Sequence, residues 1–130
     1  MKNTVNFKKE IVSDLTSAID RVTGALKGEG FGVLTRIDLH AKISEKLGKE
    51  ISPVVILGAC NPHLAYEAYR ENTDVASLLP CNAVVRDVGG GRISVELAKP
   101  SSLMTILGDE KLVAFAKQAD AQLERVLNAV

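Results

Sequence analysis

Val54-Val55-Ile56-Leu57-Gly58-Ala59-Cys60-Asn61-Pro62-His63-Leu64-Ala65 is the stretch on which the fold reading turns. Its first four residues are continuously apolar rather than alternating, the pattern of a strand covered on both faces or of a central strand at an interface. Gly58-Ala59-Cys60 closes the run. Asn61 has the side chain of a helix N-cap, and Pro62 suits the first helical position, where no N–H is needed. Leu64, Ala65, Ala68 and Tyr69 then recur as an inward stripe. A strand feeding directly into a helix is therefore predicted, with Cys60 and His63 at the join.

Working outward toward the N-terminus, Val5 to Val12 reads as a strand. Ser13 reads as the N-cap of a helix whose apolar residues Leu15, Ile19, Val22 and Leu26 keep helical spacing until Gly28 and Gly30 stop it. Phe31 to Ile37 resumes as a strand. Asp38 is placed to cap a short helix carrying Leu39, Ile43 and Leu47, which ends at Gly48, and Pro53 stands at the entrance of the central strand.

Toward the C-terminus, a turn near Asn72 to Asp74 leads to two β-rich segments, Cys81 to Val88 and Arg92 to Ala98. Gly89-Gly90-Gly91 between them signals a hairpin. Alternation predicts Ile93, Val95 and Leu97 in the core and Ser94 and Glu96 in water. Pro100 ends that strand, residues 101–108 read as an apolar connector holding Met104, and Asp109 caps a long terminal helix. Its inward residues are Leu112, Val113, Phe115, Ala116, Ala119, Leu123, Val126 and Leu127. The order β-α-β-α-β-α-β-β-α, with no Pro/Ser-rich linker, predicts one α+β domain over residues 1–130, its helices packed on a mainly antiparallel sheet.

Composition agrees with a packed, soluble chain. Its 130 residues are 46% hydrophobic and 25% charged, enough for one core without disulfides or structural metals. Sixteen Lys+Arg balance sixteen Asp+Glu, so no net field draws in a polyanion, and with 4% aromatics there is little to stack on bases. Nucleic acid is not expected as a partner. Met1 to Lys9 is polar and basic without the apolar run of a secretory signal, and no stretch approaches the roughly 18 apolar residues of a membrane span. The expectation is a cytoplasmic protein with no membrane partner, whose two cysteines, Cys60 and Cys81, are free thiols.

Three blocks carry a family resemblance: Gly30-Phe31-Gly32-Val33-Leu34-Thr35-Arg36-Ile37-Asp38, Ile56-Leu57-Gly58-Ala59-Cys60-Asn61-Pro62, and Leu78-Leu79-Pro80-Cys81-Asn82-Ala83-Val84-Val85. In this order they resemble the hallmark blocks of domain-of-unknown-function family 302, over almost the whole chain. The resemblance implies a TATA-binding-protein-like fold, a curved antiparallel sheet gripping a long helix, and assembly as a homodimer. It implies no established activity, and fold analogy does not supply one.

The chemistry therefore rests on residues. Cys60 and His63 have C-x-x-H spacing at a helix N-terminus, where the helix dipole favours thiolate over thiol and a neutral imidazole over imidazolium. Cys81 is a third candidate if its strand neighbours that of Cys60. The plain alternative is that both cysteines are small buried hydrophobes beside turn-forming Asn61, Pro62 and Asn82, and that His63 is a solvated surface residue. The preferred functional expectation is a non-enzymatic cofactor-binding protein. Haem is its candidate ligand, His63 the axial metal ligand, and a two-fold dimer offers the same ligand from each protomer. Met104 and His40 are weaker candidates as ligands. Zinc would want four convergent donors, and no C-x-x-C-H is present for covalent haem attachment.

Two other classes compete. A thiol redox or sulfur-carrier protein would use Cys60 as nucleophile and Cys81 as its resolving partner, although no C-x-x-C is present. A bare interaction module would pair through Val54 to Leu57 or Leu103 to Leu107. Arg36 with Asp38 reads as a structural ion pair or as a contact for an acidic ligand group such as a propionate. Gly89-Gly90-Gly91-Arg92 lacks the strand-then-helix context of a phosphate loop, and Glu45, Glu67 and Glu71 read as solvated helix charges.

Overall fold

The computed structural model describes residues 5–130, so the first four residues of the basic segment Met1 to Lys9 lie outside the described residues. Strands β1 (Asn6–Val12), β2 (Gly32–Asp38), β3 (Val54–Cys60), β4 (Cys81–Gly89) and β5 (Arg92–Ala98) alternate with helices α1 (Leu15–Gly28), α2 (Leu39–Leu47), α3 (Pro62–Glu71), α4 (Pro100–Met104) and α5 (Glu110–Ala129). The strands form one sheet of order β1-β5-β4-β3-β2 in which every neighbouring pair is antiparallel. The predicted α+β architecture is observed, with the predicted element order apart from the short helix α4 after β5, and β3 is an interior strand as its continuous apolar run implied.

One face of the sheet presents Ile11, Val55, Leu57, Ala83, Val85 and Val95 to α1 and α5, whose stripes supply Ala18, Ile19, Val22 and Leu26, and Leu123 and Val126. The periodic spacing of those residues puts them on one side of each helix, and their burial drives the packing. A second, smaller cluster of Ala68, Val75, Met104, Leu112 and Ala116 joins α3, a 3₁₀ segment at Thr73–Leu78, α4 and α5. The β4–β5 turn has positive φ at Gly89, Gly90 and Gly91, which side chains other than glycine strain to adopt.

Several local expectations are corrected. Asp14, not Ser13, caps α1, because its carboxylate reaches the Ser17 amide at 2.8 Å while the Ser13 hydroxyl donates to the Asp14 carbonyl. Asp38 stands at the start of α2 but makes no side-chain cap; its carboxylate is taken by the Arg36 guanidinium at 2.9 Å. The Leu39, Ile43 and Leu47 stripe leaves α2 with no buried residue, and the helix is tied to β3 by the Val54 amide, which donates to His40 Nδ1 at 3.1 Å. Tyr69 is exposed rather than inward, since α3 buries only Ala68 fully. The connector at 101–108 is helical, made of α4 followed by a 3₁₀ turn at Thr105–Leu107.

Ser94 and Glu96 lie on the sheet face opposite α1 and α5, as alternation requires, yet they do not face water: their exposures are 0% and 5%. Strand β5 has neighbours on both sides, whose long side chains cover these residues. Arg86 meets Glu96 at 3.0 Å, Asn6 donates to it at 3.4 Å, and the Ser94 hydroxyl donates to it at 3.2 Å.

Gly58 is the tight point of β3. A Cβ there would collide with Thr35 Oγ1 and stand 2.8 Å from Pro80 Cγ. Thr35 can rotate but the proline ring cannot yield in the same way, so Gly58→Ala should cost about 2 kcal/mol in urea denaturation, the range of an overpacked site. Adding Thr35→Ala should recover part of the loss. A single variant as stable as the parent would show that the strand relaxes freely around the new methyl.

Candidate functional site

The join of β3 and α3 is built by Asn61. Its Oδ1 accepts from the His63 and Leu64 amides at 3.2 and 3.3 Å, satisfying two orphan donors of α3. Its Nδ2 donates to the Glu29 carbonyl at 3.4 Å and to Gln122 Oε1 at 3.3 Å, linking the start of α3 to the end of α1 and to α5. The N-cap was legible in the sequence; the second pair of bonds, which makes Asn61 a buried three-way tie, was not.

Cys60 is the last residue of β3 and Cys81 the first of β4. The β3–β4 register pairs Ala59 with Cys81, so the two cysteines are backbone neighbours one register step apart, and side-chain alternation sends Cys60 to the sheet face opposite that of Cys81. This answers the question the sequence left open. Both are free, half-buried and border one apolar cavity of about 50 Å³, to which α4 contributes Met104. Phe31, Leu64, Leu79 and Phe115 complete much of its wall. Cys60 also borders a surface groove with Lys27, Gly32, Leu34 and Pro62, so it can be approached from outside.

The wall that carries Met104 is held by a buried acid. Asp120, on α5, accepts from the Ser101 amide at 3.0 Å and from the Ser101 hydroxyl, standing in for the side-chain cap that Lys99 does not give α4. Sequence reasoning missed Asp120, although its position among Ala116, Ala119 and Leu123 on an inward face was a signal of a satisfied buried carboxylate.

Burial, with smaller contributions from the neighbouring Cys60 and from Asp120, pushes the Cys81 thiol up to about 11. Cys81 therefore remains a thiol at neutral pH. In Cys60→Ser protein, which keeps the burial that dominates the shift but loses the contribution of Cys60, labelling of Cys81 by a small alkylating reagent should rise about tenfold per pH unit through roughly pH 8 to 9 and level off above pH 9 but below 11. A plateau by pH 9 would contradict this. Because the folded value is raised above the ordinary 9.0, the stability linked to Cys81 is present below pH 9 and is lost as pH rises toward 11.

The remaining sequence candidates lie elsewhere. His63 is exposed in the first turn of α3 and is not part of the cavity wall; helical spacing puts it on the face of Tyr66 and Arg70, whose guanidinium lies 5.6 Å from the Tyr66 ring centroid. Arg36 lies opposite Leu57, further along β2 from the Cys60 end, in its exposed pair with Asp38. His40 is half-buried against β3. The structure thus brings together Cys60, Cys81 and Met104, and leaves His63 and Arg36 outside that group. Among the described residues no group of three or more His, Cys, Asp or Glu side chains is placed to hold a metal ion, and no helix is long and apolar enough to cross a membrane.

Residues 7–130 match the family model described as "Domain of unknown function DUF302". The crystal structure of an uncharacterized conserved DUF302 protein from Bacillus stearothermophilus is similar throughout, with 30% sequence identity, a TM-score of 0.90, and coverage of 98% of this chain and 98% of that one. No curated protein matches the chain.

Proposed function

Since the chain belongs to the DUF302 family, whose description assigns no activity, we propose from its geometry that it is a non-enzymatic binding protein whose ligand seats in the cavity between Cys60, Cys81 and Met104. The observation that carries this reading is one apolar cavity bordered by residues of three separate elements, Cys60, Cys81 and Met104. Its lining holds no carboxylate, imidazole or amine, so general acid–base work has no carrier there. About 50 Å³ suits a ligand of a few atoms. The thiols favour a reducing compartment such as the cytoplasm, where they stay unpaired.

Native mass spectrometry of the full chain purified anaerobically from cells tests this. A mass above that of the polypeptide is expected, and it should be missing from Ala116→Leu, which fills the cavity, provided circular dichroism shows that variant folded. The bare polypeptide mass in the parent, or the same excess in a folded Ala116→Leu, would overturn the reading.

Haem is a second reading, favoured by the exposed His63, which shares its helix face with an aromatic ring and a guanidinium suited to a propionate. The cavity is too small for a porphyrin, so this haem would lie at the surface between two protomers, each giving one His63. The exposed apolar residues of edge strand β2, Leu34 at 67% and Ile37 at 45%, support a homodimer. Titration with haemin alongside gel filtration should give a saturable Soret band at one haem per dimer that weakens in His63→Ala. A featureless, unsaturated response removes haem; an unchanged spectrum in His63→Ala removes His63 as its ligand.

A further inference from the structure

Resting on the reading of the cavity as a ligand site, we propose that its ligand is a short-chain aliphatic carboxylate, whose hydrocarbon tail fills the cavity and whose carboxylate lies in the adjoining surface groove, paired with Lys27. The two compartments share Phe31 and Cys60 as lining residues, so one molecule passing beside them occupies both.

The cavity selects the tail. Its wall is hydrocarbon, aromatic ring and sulfur, with Leu112 and Phe115 of α5 facing Met104 and Cys81. The one amide side chain in it, Asn61, is committed through both ends to hydrogen bonds with the backbone and Gln122. Cys81 adds no charge at neutral pH, because burial opposes its ionisation. A polar group seated here would give up its water without a matching partner, whereas hydrocarbon gains by leaving water. A volume of about 50 Å³ holds the tail to a few carbons.

The groove selects the head. Lys27, in the last turn of α1, is the one charged residue that lines it. The nearby Glu29 carboxylate is taken by Arg125 at 3.0 Å, and no ion pair among the described residues engages the Lys27 ammonium. An anionic head therefore gains a partner there, an ammonium head meets a like charge, and a hydroxyl head gains no ion pair.

The test is a titration of the full chain, isotope-labelled at its methionine methyl groups, followed by NMR at Met104, which lines the cavity and is 3% exposed. Butanoate, pentanoate, hexanoate and octanoate are added in separate series, with hexanol and hexylammonium as head-group controls. Saturable shifts at one acid per chain are expected, with affinity rising about fourfold per added methylene until the cavity is full and then levelling. Hexanol should bind about fivefold more weakly than hexanoate, and Lys27→Gln, a change at an exposed side chain, should weaken hexanoate by about the same factor and remove its salt dependence. Ala116→Leu, shown folded by circular dichroism, should lose the dependence on chain length. No saturable shift with any of the acids, equal affinity of the parent for hexanoate and hexanol, or full hexanoate affinity in Lys27→Gln overturns the proposal. If the acids are refused while the native mass excess persists, the cavity still binds a ligand and only its class is wrong; if both are absent, both readings fall.

Discussion

Asp120→Ala should lower the unfolding free energy by about 3 kcal/mol in urea denaturation, the largest single effect expected here. Asp120 is buried, and its carboxylate accepts both the amide and the hydroxyl of Ser101, itself buried at the start of α4. Alanine would strand two buried donors, each with a desolvation penalty of ~1–3 kcal/mol, partly offset because an unneeded charge leaves the interior. Asp120→Asn retains an acceptor for the amide and should cost much less. Asp120 is also one of the groups that raise the Cys81 thiol, after burial and Cys60, so Asp120→Asn should move the Cys81 labelling curve to lower pH without unfolding the protein. Equal stability for Asp120→Ala and the parent would mean that α4 is held by its apolar contacts alone, and an unmoved labelling curve would remove Asp120 from the electrostatics of the cavity.

The second large effect is expected at Asn61. Asn61→Ala loses the cap of α3, worth about 1 kcal/mol, and leaves the Glu29 carbonyl and Gln122 without their shared donor, for a total of about 2–3 kcal/mol. Asn61→Asp separates the two roles. The carboxylate still accepts from the His63 and Leu64 amides, yet it faces the Glu29 carbonyl and Gln122 Oε1 with no donor to offer, so this variant should fall between alanine and the parent. Thermal or urea unfolding of the three proteins reads the order directly. An aspartate variant as stable as asparagine would show that only the cap matters, and that the tie from α3 to α1 and α5 adds nothing.

The two variants bear on binding as well as on folding. Asn61 sits next to Cys60, and Asp120 holds the helix that ends in Met104, so each fixes one wall of the cavity. Sites of this kind depend on groups that position the wall rather than touch the ligand, because a loose wall misplaces the side chains that meet it.

Element order and the main packing faces were legible in the residues themselves. The stripes of α1 and α5, the continuous run of β3, the Asn61-Pro62 helix start and the Gly89-Gly90-Gly91 turn are local patterns, and local patterns follow from backbone geometry that every chain shares. Short-range competition escaped that reading: Asp14 displaced Ser13 as a cap, its carboxylate taking the Ser17 amide while the Ser13 hydroxyl is spent on the Asp14 carbonyl, and α4 is too short to show a period. The site itself was half legible. Cys60, Cys81, Met104 and His63 could be named as candidates, but not sorted. Only the tertiary structure placed Cys81 one register step from Cys60, drew Met104 into their cavity, left His63 on an exposed face and turned Asp120 inward. These outcomes depend on strand register and on which helix covers which part of the sheet, long-range relations such as Cys60 with Cys81 and Ser101 with Asp120 that are set by the packing of the whole core and leave no periodic trace in the chain.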